Sequence, residues 1–429
     1  MAGPGIRAWE LCGVLAREHE VALAAPGPLP AAGPPGVRLV EATRRSLRAE
    51  ALHHDVAVVQ GSALDAFEVF AAGDSPLVLD LYDPYVLESA GMYAGLPAAA
   101  RAARAADDAA LLRAQLAAGD AFLCASGRQR RFWLGALAAA GRVNPSTLAG
   151  DPGLEALLRV VPFGLPEEPA APGAAPAIPG LRAGARLVVW AGGIWNWLDP
   201  ETLIRAAAAL APEAPELQVL FLGGGHPSPG VPAMERADRA RRLAASLGLL
   251  GTTVLFREGW TPYAERASIL TRAAVGVSLH EAHVEAEFAF RTRVLDYLWA
   301  GVPCLLSSGE ATADLCVAEG FGLTAAPGDQ AAVTEGLRRL LTDPELHATC
   351  RAAALRTADR FTWPVVAAPL LDLCREPRRA GDLPRDRAAG RESRTRRRGV
   401  IKRAWESGRS EGPGVLAKRA RGYLRRRLR

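Results

Sequence analysis

Residues 291–303, RTRVLDYLWAGVP, concentrate more potential chemistry than any other stretch of this 429-residue sequence. Two guanidiniums, one carboxylate, an aromatic pair and a Gly-x-Pro break fall within thirteen positions. A helix opening near Arg291 would bring its positive end and the two arginines, Arg291 and Arg293, to one spot. That arrangement suits a phosphate group. Asp296 follows Arg293 by three residues and shares its helical face. A carboxylate there can accept hydrogen bonds from sugar or ribose hydroxyls. Residues 278–288, SLHEAHVEAEF, form an acidic loop just upstream, with His280, His283, Glu281, Glu285 and Glu287. The two histidines are candidate sugar contacts, although a lone histidine is often merely satisfied by local hydrogen bonds. A solvated surface helix is the plain alternative for the whole run.

The elements around this run fit a ligand site. An apolar, strand-like stretch (273–279) precedes the loop and another (304–306) follows the Gly-x-Pro break. In an open α/β sheet, the loops beyond the carboxyl ends of such strands face a crevice. Glycines recur at equivalent places. Gly3 and Gly5 flank Pro4 before the first helix, Gly192-Gly193 follow one strand, and Gly223-Gly224-Gly225 follow the next. Their amides could approach a phosphate, while each alone is also an ordinary turn. Trp195 and Trp260 could wall a sugar or base pocket, or simply pack.

Strand-like runs at 21–25, 37–41, 56–60, 77–82 and 121–125 alternate with helical patterns, among them 6–18 and 87–118. A second series follows, with strands at 187–191, 217–222 and 254–257 and helices at 200–210, 234–247, 263–272, 333–341, 344–361 and 363–374. Such alternation predicts α/β architecture: two Rossmann-like, doubly wound parallel-sheet domains facing across a cleft. The first spans 1–165 and the second 185–362, joined by a Pro/Gly/Ala-rich linker at 166–184. A closing helix (363–375) and a basic tail (376–429), expected to be disordered, complete the chain.

Composition narrows the class. Hydrophobic residues make up 49% of the chain, enough for sizeable cores, and no uncharged apolar run of 18 residues suggests a spanning helix. MAGPGIRAWE does not read as a signal peptide. Six scattered cysteines argue against a zinc site or disulfide framework and for a reducing cytoplasm. The net charge of +5 is split: the tail holds 19 Lys/Arg against 6 Asp/Glu, and the body 32 against 40. The basic pI therefore does not mark the body as nucleic-acid-binding, and no specific nucleic-acid partner is expected.

Taken together, the glycine loop at Gly3–Gly5, VVPFGL (160–165), VLFLGGG (219–225) and RTRVLDYLWAGVP resemble the family-4-type glycosyltransferases of the GT-B fold over roughly residues 1–375. The resemblance implies transfer of a sugar from a nucleotide diphosphate-sugar, held by the C-terminal half, to a glycan or lipid-linked acceptor on the N-terminal half. It further implies retention of anomeric configuration, no metal, and no cofactor beyond the donor. Asp296 takes the place of the family's ribose-binding Glu. The first Glu of the family's pair falls at Phe288, so the sugar-facing carboxylate is expected to be Glu287, with Glu285 and Glu281 as alternatives. The GGIWNWLDP loop (192–200) lacks the family's Arg/Lys pair. Arg291 and Arg293, with the amides of Gly3, Gly5 and Gly193, are expected to stabilise the leaving diphosphate. Trp195, Gly224, His280 and Glu285 are further expected donor contacts. Where the family often has a His, this chain reads Leu81-Tyr82-Asp83.

Two rivals share the fold. One is a degenerate scaffold organising an envelope or polysaccharide assembly, and the other a sugar-nucleotide epimerase. The expected setting is the cytoplasm, with the basic tail able to meet an anionic membrane at the inner face of the plasma membrane. Only Met1 and Ala2 precede the first glycine loop, so the true start is expected roughly 8–15 residues upstream, with the missing first strand between and Met1 an internal methionine.

Overall fold

A computed structural model describes residues 3–61, 63–173, 177–223, 234–259 and 261–383. Gly224, Gly225, Trp260 and the sequence from 384 onward lie outside the described residues. In the N-terminal half the elements run α1 (Gly3–Leu15), β1 (Val21–Ala25), β2 (Val37–Glu41), α2 (Arg44–Glu50) and β3 (Ala57–Gln60). Then come α3 (Leu64–Phe70), β4 (Leu77–Asp80), α4 (Tyr85–Met92), α5 (Ala98–Ala118) and β5 (Ala121–Cys124). α6 (Gly127–Ala139), α7 (Pro145–Leu148) and β6 (Leu158–Val160) close this half.

The C-terminal half opens with β7 (Arg186–Trp190), α8 (Pro200–Leu210), β8 (Leu217–Phe221), α9 (Glu235–Ser246) and β9 (Val254–Phe256). α10 (Arg266–Leu270), β10 (Ala273–Ser278), α11 (Val284–Phe288), α12 (Thr292–Trp299) and β11 (Cys304–Ser307) follow. α13 (Ala311–Glu319), β12 (Gly322–Ala325), α14 (Gln330–Thr342), α15 (Pro344–Ala358) and α16 (Trp363–Arg375) end the described elements.

Every strand pair among the described residues is parallel, as strands that mostly alternate with helices favour. The C-terminal sheet has the order β12-β11-β10-β7-β8-β9, a doubly wound arrangement whose switch point lies between β7 and β10. Val188, Val189, Trp190, Val275 and Val277 are buried at its centre. The N-terminal half is less regular than expected. Its strands form two sheets, β1-β2 and β3-β4-β5-β6, and among the described residues no strand pairs with the second edge of β1 or of β3.

Other differences have local causes. The glycines at 3 and 5 do not precede the first helix but form its first turn. The helix expected over 87–118 is broken at 93–97, where Gly95 weakens it and Pro97 removes a backbone donor. α12 stops as its sequence dictates: Gly301 adopts φ 62°, Val302 N donates to Tyr297 O at 2.8 Å, and Pro303 follows.

One buried ion pair fastens α1 to the larger N-terminal sheet. Arg7 is fully buried and grips Asp80 with two hydrogen bonds, Nε at 2.7 Å and Nη2 at 3.0 Å. Its remaining donors reach Pro162 O at 2.7 Å and Val161 O at 2.9 Å, and its guanidinium lies 4.7 Å from the Tyr82 ring centre. A buried charge pair is tolerable only when the geometry is this complete.

The halves are tied together at the closing helix. Trp363 N donates to Leu165 O, Leu165 N to Phe361 O, and the Trp363 ring packs 5.0 Å from Phe163. α16 then lies along α1. Residues 376–383, read from sequence as the start of the tail, continue as a strap over the N-terminal half. Asp382 accepts two hydrogen bonds from Arg142 (2.7 and 3.1 Å) and one from Asn144, and Ala380 N donates to Asp120.

Arg7→Ala should destabilise the protein by about 3–5 kcal/mol, because it strands Asp80 as an unpaired buried charge. Urea unfolding measures it. A loss under about 1 kcal/mol would show that the pair does not hold α1 in place.

Candidate active site

α12 is held in the sheet by its own tyrosine. Tyr297 is fully buried, and its hydroxyl accepts from Ala191 N at 2.9 Å and donates to Val277 O at 2.8 Å, with Val189 O also within 3.0 Å. Gly276 leaves room for the ring against β10. The helix therefore starts beside the carboxyl ends of β7 and β10, at the switch point of the sheet.

Arg293 enters from this helix. Its Nη2 donates to Gly193 O at 2.9 Å, and its guanidinium lies 5.0 Å from the Trp190 ring centre. The side chain is 9% exposed, and Nη1 has no partner among the described residues. Burial pulls its pKa down to about 10, so the ion is held at a cost that an anion would offset. Gly193, with no side chain, lets Trp195 close in, and Trp195 stacks on Trp197 at 5.6 Å. Trp197 in turn packs against Gly91 of the N-terminal half, where Asn196 donates to Gly91 O.

Arg291 is placed differently from expectation. Both of its terminal nitrogens bind Glu285, at 2.8 and 2.7 Å, and Glu285 is fully buried. Of the three carboxylates weighed for the sugar, Glu285 is thus the enclosed one. Glu287 is exposed, and Glu281 pairs with Arg236 at 2.7 Å. His283 caps α11 by accepting from Glu285 N. His280 is 2% exposed, its Nδ1 donates to Glu281 O at 2.9 Å, and its Nε2 has no partner among the described residues. Burial lowers its pKa, so Nε2 is a bare acceptor. Asp296 is paired with Arg266 at 3.4 Å, a guanidinium stacked between Tyr263 (3.6 Å) and Trp299 (4.8 Å). Gly3 and Gly5 lie in the first turn of α1 near the carboxyl ends of β3 and β4: a Cβ on Gly3 would be 3.4 Å from Tyr82 Oη, and Pro4 O accepts from Gln60 at the end of β3.

Three carboxylates here were not singled out from the sequence. Glu310 caps α13 through Thr312, is 1% exposed, and is pushed up by burial. Asp83, just past β4, is pushed up to about 7, first by burial and then by Asp80 and Glu285 nearby. Glu88 on α4 is raised by burial and by Asp83 and Glu285. The last two belong to the N-terminal half; the charge of Glu285 acts on both, that of Arg291 on Glu88, and α4 packs against α11. Gln129 bridges the halves beside them, donating to Tyr82 O at 2.8 Å and Phe288 O at 3.0 Å, and Phe132 packs 4.8 Å from Phe288. Among the described residues no cluster of His, Cys, Asp and Glu could hold a metal ion.

No protein-family model matches the chain. Among solved structures, it resembles sucrose-phosphate synthase from Thermosynechococcus elongatus with TM-score 0.63 and 18% identity, over 87% of this chain and 93% of that one. HepE from Anabaena, solved with UDP and glucose, aligns with TM-score 0.60 and 15% identity, over 87% and 96%. The chain has the GT-B fold. This GT-B chain is also 30% identical over 202 residues to a D-inositol 3-phosphate glycosyltransferase of Streptomyces avermitilis, covering 45% of this chain and 40% of the relative. The enzyme of the same name from Thermobispora bispora is 30% identical over 200 residues, covering 46% and 44%. The match spans less than half the length of these curated relatives.

Asp83 gives a pH signature. Its folded pKa of about 7 exceeds the ordinary 3.8, so between those values the folded state keeps a proton that the unfolded chain releases. Stability contributed by that proton is present below about pH 4, falls as pH rises towards 7, and is gone above. Asp83→Asn should flatten this fall in denaturant unfolding from pH 4.5 to 7.5. Parallel wild-type and variant curves would contradict the assignment.

Proposed function

We propose that the chain is a glycosyltransferase that takes a sugar from a nucleotide diphosphate-sugar and passes it to a glycan or lipid-linked acceptor. The observation that carries this reading is Arg293: a buried guanidinium with one free nitrogen, held over the Gly192-Gly193 turn at the end of the central strand β7. A diphosphate supplies the missing partner, and donors fixed in advance stabilise the charge that develops on it as the sugar leaves. The relatives' names and HepE's bound UDP and glucose support the same reaction class. In this reading Asp296 shares a ribose hydroxyl with Arg266, His280 Nε2 accepts from a sugar hydroxyl, and Glu285, oriented by Arg291, faces the sugar. Arg291 thus acts through Glu285, and Glu287 is set aside because it is exposed. Retention of configuration, independence of metal ions and a place in envelope or polysaccharide assembly belong to the proposal. So does a cytoplasmic setting in which the basic tail meets an anionic membrane. No helix among the described residues is long and apolar enough to cross a membrane.

Calorimetry with UDP, UDP-glucose and uridine tests the donor site. Arg293→Ala should weaken UDP by about 1–3 kcal/mol while leaving uridine nearly unchanged. Equal losses for both ligands would remove Arg293 from the diphosphate site, and no binding of any nucleotide to wild type would favour the scaffold reading.

A chain ending at residue 383 keeps the strap and lacks the basic segment. It should fold normally and lose co-sedimentation with phosphatidylglycerol vesicles at low salt, since each basic residue near such a surface adds about 1 kcal/mol at most and salt screens it. Equal co-sedimentation of both forms would refute the membrane role.

A further inference from the structure

A buried glutamine of the N-terminal half holds a short helix of the other half. Gln129 is fully buried in the first turn of α6, just after the Ser126 cap. Its Oε1 accepts from Ala125 N at 2.8 Å, and its Nε2 donates both to Tyr82 O at 2.8 Å and to Phe288 O at 3.0 Å. The first two partners belong to its own half, and the third ends α11. With five residues, α11 is too short to be stable without help. It packs against α4 and α6 of the N-terminal half, and the Phe288 ring lies 4.8 Å from that of Phe132 on α6. The Phe288 carbonyl, left over at a helix end, thus finds its donor across the cleft. Glu285 sits one turn back on α11, fully buried, with both oxygens on Arg291.

The cleft mouth is fastened in a way that can part. Arg128, next to Gln129, pairs with Asp314 at 2.7 Å and donates to Gly309 O at 2.9 Å. Both ends of that pair reach solvent, and such a pair holds weakly. The backbone bonds of Leu165 with Phe361 and Trp363 lie at the closing helix instead, where the chain itself joins the halves. Rotation about that joint would carry Gln129, Phe132 and α4 away from α11.

We infer that Gln129 is a positioning residue for Glu285: α11 is seated, and its carboxylate set against Arg291, only while the halves are closed. The inference rests on the reading of Glu285 as the sugar-facing carboxylate and adds what controls it. Gln129 acts through α11 rather than on the ligand. When the cleft opens, the Phe288 carbonyl and ring lose their partners, and so short a helix frays at little cost. Glu285 and Arg291 come free together, while Arg293 stays on Gly193 O within its own half. The diphosphate site therefore exists in the open form, and the sugar meets its carboxylate only when the acceptor half arrives. Assembly on closure keeps an activated sugar from water until the acceptor is in place.

Phenylglyoxal modification of the full chain, read at each arginine by peptide mass spectrometry, tests this without relying on activity. Gln129→Met removes both amide donors at similar volume and should speed modification of Arg291 about tenfold. Arg7, equally enclosed in its pair with Asp80, should react at an unchanged rate. UDP affinity should stay within about twofold, because Arg293 does not depend on α11. Gly91→Leu tests the role of closure: it drives a wedge between α4 and Trp197 without touching Gln129, and should expose Arg291 as well. If Gln129→Met does not fold, Phe132→Ala takes its place, with the same rates expected. Arg291 as slow in the folded variant as in wild type would overturn the inference. Equal acceleration at Arg7 and Arg291 would also overturn it, as would a wedge variant more extended in small-angle scattering with Arg291 still protected. Failure of wild type to bind UDP would count against the donor reading alone, and the arginine rates would still decide this one.

Discussion

A single phenol fixes the geometry on which the candidate site depends. The Tyr297 hydroxyl accepts from Ala191 N and donates into β10, so α12 cannot slide or turn without stranding a buried backbone group. Arg293 lies one turn back along the same helix, and its reach to Gly193 O follows from that anchor. The ring is admitted only because position 276 is glycine. Sheet, anchor and guanidinium thus form one rigid unit, which is what an electrostatic site needs if its donors are to be in place before charge develops.

Three buried or nearly buried charges are held in pairs of two hydrogen bonds each. Arg7 with Asp80, Arg291 with Glu285 and Arg142 with Asp382 are all two-toothed pairs with little exposure. Each joins elements distant from one another or locks a loop, and each would be strongly destabilising if only half were present. In the cleft several charged groups are less fully satisfied. Arg293 has a free nitrogen, His280 a free lone pair, and Asp83 and Glu88 no cation of their own among the described residues. Unpartnered buried atoms and shifted titrating groups that gather in one cleft point to a ligand there.

Much of this was legible in the sequence. Short apolar runs marked strands β7, β8 and β10 nearly to the residue, because buried parallel strands are rich in Val, Leu and Ile, and the half-buried β1 and β2 showed through their Val and Leu. The run at 291–303 announced a helix, its stop and its charges, since arginine spacing and Gly-x-Pro are local signals. Partners were not legible. Arg291 could have faced phosphate or Glu285, and which one depends on how α11 turns. Asp296 meets Arg266 on another helix. Asp83, Glu88 and Glu310 become site residues only when the halves close, and nothing local in their sequence marks them. The split of the N-terminal strands into two sheets was likewise invisible, because strand patterns do not reveal which edges pair.

The central claim is that Arg293 waits for a diphosphate at the end of β7. A crystal structure of the protein soaked with UDP tests it most directly. The account predicts a phosphate oxygen within hydrogen-bonding distance of Arg293 Nη1, close to the Gly192-Gly193 turn, with the Arg291–Glu285 pair intact. UDP bound elsewhere, or bound there with Arg293 turned away and Arg291 released from Glu285 to take the phosphate, would contradict it.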